Sequence, residues 1–157
     1  MSAWLGIAIA LAVGLASALQ TSMLGALGRG RPPVEAAWIS LLGSVAGIST
    51  VILIRLLRGG TSSLPAPLDR PAAFAIGAVV GLALLALSLR GLPWYYGAAG
   101  LGGVIYLASA ALLVPRLGVA VFFGATTAGS VLGALALDRL GAFGAPPLPL
   151  SVTRVGG

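Results

Sequence analysis

The pattern of apolar and charged positions divides the 157-residue chain into five long apolar segments, with the charged residues gathered between them or at their edges. Apart from one glutamate at the start of the second segment, the segments contain no charged side chain. An uncharged apolar run of about 18 residues or more is long enough to cross the ~30 Å hydrocarbon core of a bilayer as an α-helix. We therefore predict transmembrane helices over residues 4–27, 35–54, 72–89, 94–114 and 119–137, or four helices if 72–89 does not cross.

The connections between the segments support the same division. Residues 55–71 are rich in Gly, Ser and Pro, a composition typical of an exposed loop. Residues 138–157 contain too many prolines and glycines to continue the last helix. Trp4 and Trp94 open the first and fourth segments, where amphipathic rings favour the lipid headgroup region. The chain is expected to form one integral-membrane helical domain over residues 1–157.

The composition agrees with an all-α polytopic membrane bundle. Hydrophobic residues make up 59% of the chain and charged residues 8%, whereas a soluble domain carries roughly 25% charged residues. The segments lack the alternating polar face that a transmembrane barrel needs, so helices are favoured. All nine basic residues are arginines, placed singly or in pairs between apolar segments, which does not resemble a nucleic-acid interface.

The inventory of reactive side chains predicts that the chain is not an enzyme and binds no metal or cofactor. The sequence contains no Cys and no His, which excludes disulfides, thiolate chemistry and imidazole metal ligands. It also lacks a metalloprotease motif, a phosphate-binding loop with its lysine, and a nucleophile with a suitable base. We assign no catalytic residues.

Small residues recur at helical spacing on four of the five segments. Helices in lipid associate without a hydrophobic driving force, so such stripes let their backbones approach closely. The glycines expected to lie at helix contacts are Gly14, Gly43, Gly47, Gly77, Gly81, Gly129 and Gly133.

The arginine distribution gives no preferred orientation in the membrane. With five spans, four arginines lie on the side of the N-terminus and five on the other side. Near-equal numbers permit insertion in both orientations, so an antiparallel homodimer is one hypothesis for the assembly. If residues 72–89 do not cross, the count becomes six against three and predicts a cytoplasmic N-terminus.

Three stretches carry a family resemblance: GLASALQ from Gly14, LGRGRPPVEAAWISLLGSVAG from Leu27, and PWYYGAAGLGGVIYLASAALLVPRLG from Pro93. Together they resemble the half-size bacterial branch of the drug/metabolite transporter superfamily. This resemblance implies a helical half-transporter of the bacterial cytoplasmic membrane that pairs with a copy of itself or a related chain. Members usually continue after RVGG, the last four residues here, into a further apolar helix, and residues 72–89 are extra relative to the short members.

Four side chains are candidate contacts for a small-molecule substrate. Gln20 carries an amide within an apolar segment, so its side chain needs hydrogen-bond partners. It serves either as a hydrogen-bonding contact between helices or as a substrate contact. Trp38 and Tyr106 are suited to stacking on a planar or cationic ligand, although aromatic side chains in bundles are more often simple packing. Ser130 stands where family members often carry Gln, and Leu24 where they tend to carry Asn.

Glu35 is the one carboxylate at the edge of an apolar segment near two arginines. It lies in the first turn of the second predicted helix, where the helix dipole favours an acidic residue. We interpret Glu35, Arg29 and Arg31 as an interfacial ion-pair group. Proton-coupled export needs a carboxylate at mid-depth, and no predicted span carries a central charge.

The sequence is compatible with two functions. The first is a small-molecule transporter that works by alternating access, with lipid and a second chain as partners and a site near the bilayer midplane. The second is a non-transporting membrane subunit that packs onto a larger complex through its small-residue faces.

Overall fold

The computed structural model describes residues 2–144 and 146, and over this range it contains helices and no strand. The helices are α1 (Ala3–Gly30), α2 (Pro33–Leu57), α3 (Pro71–Ser88), α4 (Ala99–Leu117) and α5 (Val119–Leu140). A 3₁₀ helix, Trp94–Ala98, leads into α4, and a second, Ala142–Gly144, follows α5. All five spans are long and apolar enough to cross a membrane, with Trp94–Leu117 counted as one span. The prediction of an all-α bundle with five spans is confirmed.

The helix ends follow from local sequence. Prolines occupy the first helical position of α2 and α3, where the missing N–H costs nothing and the fixed φ suits a helix. The reversal between α4 and α5 lies at Gly118, whose φ of 83° is accessible to glycine at little cost. α5 ends at Gly141, which has a left-handed conformation.

The structure moves several of the predicted boundaries. α2 begins at Pro33 and continues to Leu57, into the predicted loop 55–71, and α4 begins at Ala99, after the 3₁₀ helix that starts at Trp94. α1 continues to Gly30, because Arg29 in its last turn is compatible with the negative end of the helix dipole. α4 runs past Pro115 to Leu117. α5 runs to Leu140, so the predicted tail begins after that residue. Within that tail, residues 145 and 147–157 lie outside the described residues.

The five helices are arranged so that neighbours in space differ from neighbours in sequence. α1 packs most extensively on α5 and also on α4, α4 packs on α2, and α2 packs on α3. α4 and α5 share few contacts although they are consecutive. Contacts of Gly14 with Gly129 and of Gly133 with Ala18 show that α1 and α5 run parallel. A shallow cleft therefore lies between α4 and α5, with α1 as its floor.

Two of the helix contacts are made by backbones. A Cβ atom added to Gly14 would collide with the carbonyl oxygen of Thr126 in α5, and one added to Gly129 would collide with that of Leu11 in α1. Where α2 crosses α4, a Cβ added to Gly100 would collide with the carbonyl oxygen of Ser40, and one added to Gly43 would lie 2.7 Å from the carbonyl oxygen of Gly97 in the preceding 3₁₀ helix. Only glycine permits approach at this distance.

The other predicted packing glycines lie against side chains or a neighbouring turn. An added Cβ would lie 2.8 Å from Leu101 Cδ2 at Gly47, 2.9 Å from Ser49 Oγ at Gly77, 3.2 Å from Ala46 at Gly81 and 2.8 Å from Ala18 Cβ at Gly133. These contacts can adjust more readily than the two backbone crossings.

Candidate functional site

Gln20 lies where α1 meets α2 and α4, and its side chain is half-buried. Its Nε2 donates a hydrogen bond of 3.4 Å to Ser40 Oγ in α2. Its Oε1 lies so close to α4 that a Cβ added to Gly102 would be 2.5 Å away. The amide therefore fills the space between three helices.

Trp38 and the predicted ion-pair group lie on the outer surface. The Trp38 side chain is 52% exposed. Arg31 forms the expected ion pair with Glu35, with 3.4 Å between Nη1 and Oε2, and also donates to the carbonyl oxygen of Arg90. Arg29 instead donates to the carbonyl oxygen of Phe143, beyond α5. Hydrogen bonds from these arginines therefore connect the end of α1 to the segments that follow α3 and α5.

Tyr106 and Ser130 line one cavity. It has a volume of about 290 Å³ and occupies the cleft between α4 and α5. The Tyr106 ring centroid lies 5.7 Å from that of the buried Phe122, so one face of the ring is fixed by packing. The lining residues are Gly14, Ser17, Tyr106, Phe123, Thr126, Thr127 and Ser130.

A second cavity of about 420 Å³ continues the first along α1 and α5. The two share Ser17 and Ser130, so they form one continuous depression, which we call the α1–α5 groove. Its second part is lined by Ser17, Ala18, Thr21, Ser22, Ser130, Val131, Ala134, Leu137 and Asp138. From Phe123 to Asp138 the groove spans about 22 Å at 1.5 Å per helical residue. It therefore extends along about two-thirds of α5, from near the start of that helix to its end.

Three of the seven hydroxyl groups that line the α1–α5 groove donate their protons to carbonyl oxygens of their own helices. Thr21 Oγ1 donates to the carbonyl oxygen of Ser17, and Ser130 Oγ to that of Thr127, each at 2.9 Å. Thr126 Oγ1 donates to the carbonyl oxygen of Phe122 at 2.9 Å. Such bonds leave the oxygen lone pairs free to accept. These three groups therefore offer acceptors to a ligand.

Another groove, on the other half of the bundle, has the opposite character. It encloses about 550 Å³ between α2, α3 and the start of α4. Its lining is almost entirely apolar: Gly43, Ala46, Gly47, Thr50, Val51, Leu82, Leu85, Leu89, Trp94, Gly97, Ala98 and Leu101. The Thr50 hydroxyl donates to the carbonyl oxygen of Ala46 in its own helix. We call this the α2–α3 groove. Lipid chains satisfy such a surface fully, so it requires no solute.

The structure thus brings together only two of the four candidate substrate contacts, Tyr106 and Ser130. Gln20 packs between helices and Trp38 faces outward. Sequence reasoning missed Ser17, Thr21 and Asp138 as groove residues, because hydroxyls can bond to their own helix and a carboxylate at a helix end needs no partner inside the bundle. The spacing of Ser17 and Thr21, one helical turn apart, was the available signal.

Comparison with known proteins supports a transporter. Residues 86–157 match the family described as "Putative inner membrane exporter, YdcZ", a little under half of the chain. The matched range contains α4 and α5, and with them Tyr106, Ser130 and Asp138. No curated protein and no solved structure matches the chain. The match confirms the resemblance to small bacterial drug/metabolite transporters over this range.

The match and the five spans together place the chain as a multi-pass protein of the bacterial inner membrane. An exporter is not a class of enzyme, so the comparison points to transport rather than to catalysis.

Proposed function

We propose that the chain is a half-transporter that carries a small molecule across the inner membrane by alternating access, with a second copy completing the solute pathway. The observation that carries this proposal is the α1–α5 groove. It brings hydroxyls, a phenol and a carboxylate together along one open surface, whereas the α2–α3 groove is almost entirely apolar. Polar groups facing hydrocarbon are unfavourable, and those of transporters normally line a wet cavity.

The groove is open along one side in the single chain. Thr21 and Thr127 on its rim are exposed. A second copy placed over α4 and α5 would enclose the groove and bring its own hydroxyls to the same space, as expected of a pathway at the interface between repeats. The near-equal distribution of arginines is compatible with either relative orientation of the two copies.

The packing also supports a moving part. α1 and α5 are joined by backbone contacts at Gly14 and Gly129. α1 and α4 meet largely through side chains, such as Gln20 at Gly102 and Leu117 at Gly6. Side-chain contacts can rearrange more readily than interlocked backbones, so the α1–α5 pair is the unit that we expect to rock. The groove lies at its boundary with α4.

A flux experiment in proteoliposomes tests the proposal. Proteoliposomes loaded with a bacterial metabolite extract should lose particular solutes faster than protein-free liposomes, as followed by mass spectrometry. The double variant Tyr106→Phe, Ser130→Ala should reduce that loss by roughly ten-fold, because two hydrogen-bonding groups of the groove are removed. Tyr95→Phe is the matched control, since Tyr95 lies outside the groove and is 37% exposed.

Two outcomes would contradict the proposal. One is that every solute leaves at the rate seen without protein. The other is that the chain purifies in fixed stoichiometry with a large assembly and never as a homodimer, which would favour the accessory-subunit hypothesis.

A further inference from the structure

We infer that the α2–α3 groove holds an acyl chain of an anionic phospholipid whose phosphate lies beside Arg90. This site is separate from the α1–α5 groove, so the inference goes beyond the proposed function and does not depend on it. Three features carry it: the depth over which the groove runs, the positive charge at one of its ends, and the gap between α3 and α4 that it occupies.

The first feature is that the groove runs from the membrane surface towards the middle of the bundle. Trp94 lines one end, which we call the outer end, and its side chain is 83% exposed, as expected of an indole in the headgroup region. At the opposite end the groove reaches Leu82, near the middle of α3. Along α2 its lining runs from Gly43 to Val51, about 12 Å at 1.5 Å per helical residue. This length is comparable with half of the ~30 Å hydrocarbon core, so the groove suits an acyl chain of a single leaflet.

The second feature is the positive charge at the outer end. Arg90 directly follows Leu89, which lines the groove, and is exposed. Arg31 lies at the same end, because its Nη2 donates to the carbonyl oxygen of Arg90 at 3.3 Å. Within the described part of the chain, the one ion pair closer than 4.0 Å joins Arg31 to Glu35, so Arg90 has no carboxylate at that distance.

A lipid phosphate would supply the counter-charge that Arg90 lacks. The planar guanidinium group matches the oxygens of a phosphate, and basic pockets between membrane helices are suited to anionic headgroups. A zwitterionic lipid brings an ammonium group together with its phosphate, and that ammonium group is repelled by arginine. The charge at the outer end therefore favours a lipid with a net negative headgroup.

The third feature is that the groove occupies a gap between α3 and α4. α3 packs mainly on α2, and it approaches the span of α4 where Leu85 and Leu89 face Gly97. Beyond this contact, the gap is lined by Leu82 and Leu101, which are 53% and 44% exposed. An acyl chain in the gap would make dispersion contacts with three helices at once. Bound lipid would thus hold α3 against the rest of the bundle.

Native mass spectrometry of the full chain in detergent tests this inference, with dioleoylphosphatidylglycerol as the probe and dioleoylphosphatidylcholine as its comparison. The two lipids have the same acyl chains and one phosphate each, but only the first carries a net negative charge. Phosphatidylglycerol should bind at least about five-fold more tightly, since a basic residue near the headgroups favours anionic lipid by roughly that factor. Glycerol 3-phosphate, which has the anionic group without the acyl chains, should show no measurable binding.

The variant Arg90→Gln tests the charge. It should weaken binding of phosphatidylglycerol by roughly five-fold and leave binding of phosphatidylcholine unchanged. The variant retains the hydrogen bond from Arg31, because that bond is to the backbone. Arg116→Gln makes the same change at an exposed arginine at the far end of α4 and should have no effect.

The variant Ala98→Leu tests the location. It fills the groove and should weaken binding of both lipids by roughly ten-fold. Ala111→Leu makes the same change at an exposed position of α4 outside the groove and is the control. Phosphatidylglycerol should also raise the unfolding temperature of the unmodified chain, and should not raise that of Ala98→Leu.

Three results would overturn the inference. The first is equal affinity for the two phospholipids, or unchanged affinity for phosphatidylglycerol in Arg90→Gln. The second is binding of glycerol 3-phosphate as tight as that of the lipid, which would indicate an anion site without an acyl chain. The third is full retention of the lipid by Ala98→Leu, which would place the lipid outside the α2–α3 groove.

Discussion

The α1–α5 groove and the α2–α3 groove differ in chemistry much more than in shape. Both are open depressions between helices of one bundle, and both have a floor that contains glycines. The α2–α3 groove measures about 550 Å³ and offers a lipid chain almost only apolar contact. The two parts of the α1–α5 groove measure about 290 and 420 Å³ and are lined by hydroxyls and one carboxylate.

This difference shows that an apolar groove is a poor guide to function in a membrane. In water, the apolar α2–α3 groove would be the natural binding site, because burying its surface releases free energy. In lipid that driving force disappears, since acyl chains are as apolar as leucine. Polar groups that hydrocarbon cannot satisfy then become the informative ones, and they are concentrated beside α5.

The largest expected effect comes from removing the backbone contact that forms the floor of the α1–α5 groove. Gly129→Ala should destabilise the fold by about 3 kcal/mol or more, because the new methyl group would overlap the Leu11 carbonyl oxygen, which cannot move without its helix. Thermal unfolding in detergent measures this. Gly124→Ala, in the same helix with open space around its Cβ, is the control.

We expect Gly124→Ala to be neutral or to stabilise by up to about 1 kcal/mol through helix propensity. Equal destabilisation by both variants would show that α1 and α5 are not locked together as described, and the groove between them would lose its structural basis.

A smaller effect is expected from filling each groove in turn. Ser17→Leu places an apolar side chain where the two parts of the α1–α5 groove meet, so solute flux in proteoliposomes should fall by roughly ten-fold, or about 1.4 kcal/mol. Ala98→Leu fills the α2–α3 groove similarly and should leave flux within about two-fold of the unmodified chain. The reverse pattern would assign transport to the apolar groove.

The smallest effect is expected at Gln20, which packs against α2 and α4 and lines neither groove. Gln20→Leu removes its hydrogen bond to Ser40, and interhelical bonds of this kind contribute about 0.6–1.7 kcal/mol in lipid. Stability should fall by that amount, while flux changes by less than about three-fold. A complete loss of flux with unchanged unfolding temperature would instead make Gln20 a substrate contact.

The five spans could be predicted from the sequence because the bilayer fixes the length of a spanning helix and charges cannot lie within it. The second span, which is predicted to end before Arg55, and the third, which follows Arg70, can be located from the sequence alone. The exact helix ends did not follow, since α4 tolerates Pro115 in its last turn. Interior proline normally disfavours a helix, but near its end little backbone bonding is lost.

The groove was only partly predictable, because it depends on which helices are neighbours. Tyr106 and Ser130 are 24 positions apart in sequence and share a cavity only because α4 and α5 both pack on α1. The apolar pattern of each helix is too uniform to reveal its contact face. The position of Asp138 at a helix end gives no information on the groove that ends beside it.

The central claim is that the α1–α5 groove is wet and the α2–α3 groove is not. The chain has no cysteine, so single cysteines can be introduced without a background. Ser130→Cys and Leu82→Cys lie near the middle of their helices, and Leu82 is the more exposed, at 53% against a half-buried Ser130. Thiols react as thiolates, which form in water and not in hydrocarbon.

Labelling of these two variants in sealed membrane vesicles with a charged, membrane-impermeant thiol reagent is therefore the most direct test. We predict rapid modification of Ser130→Cys and none of Leu82→Cys, the opposite of their exposure in the single chain. Modification of Leu82→Cys alone, or of neither variant, would contradict the claim.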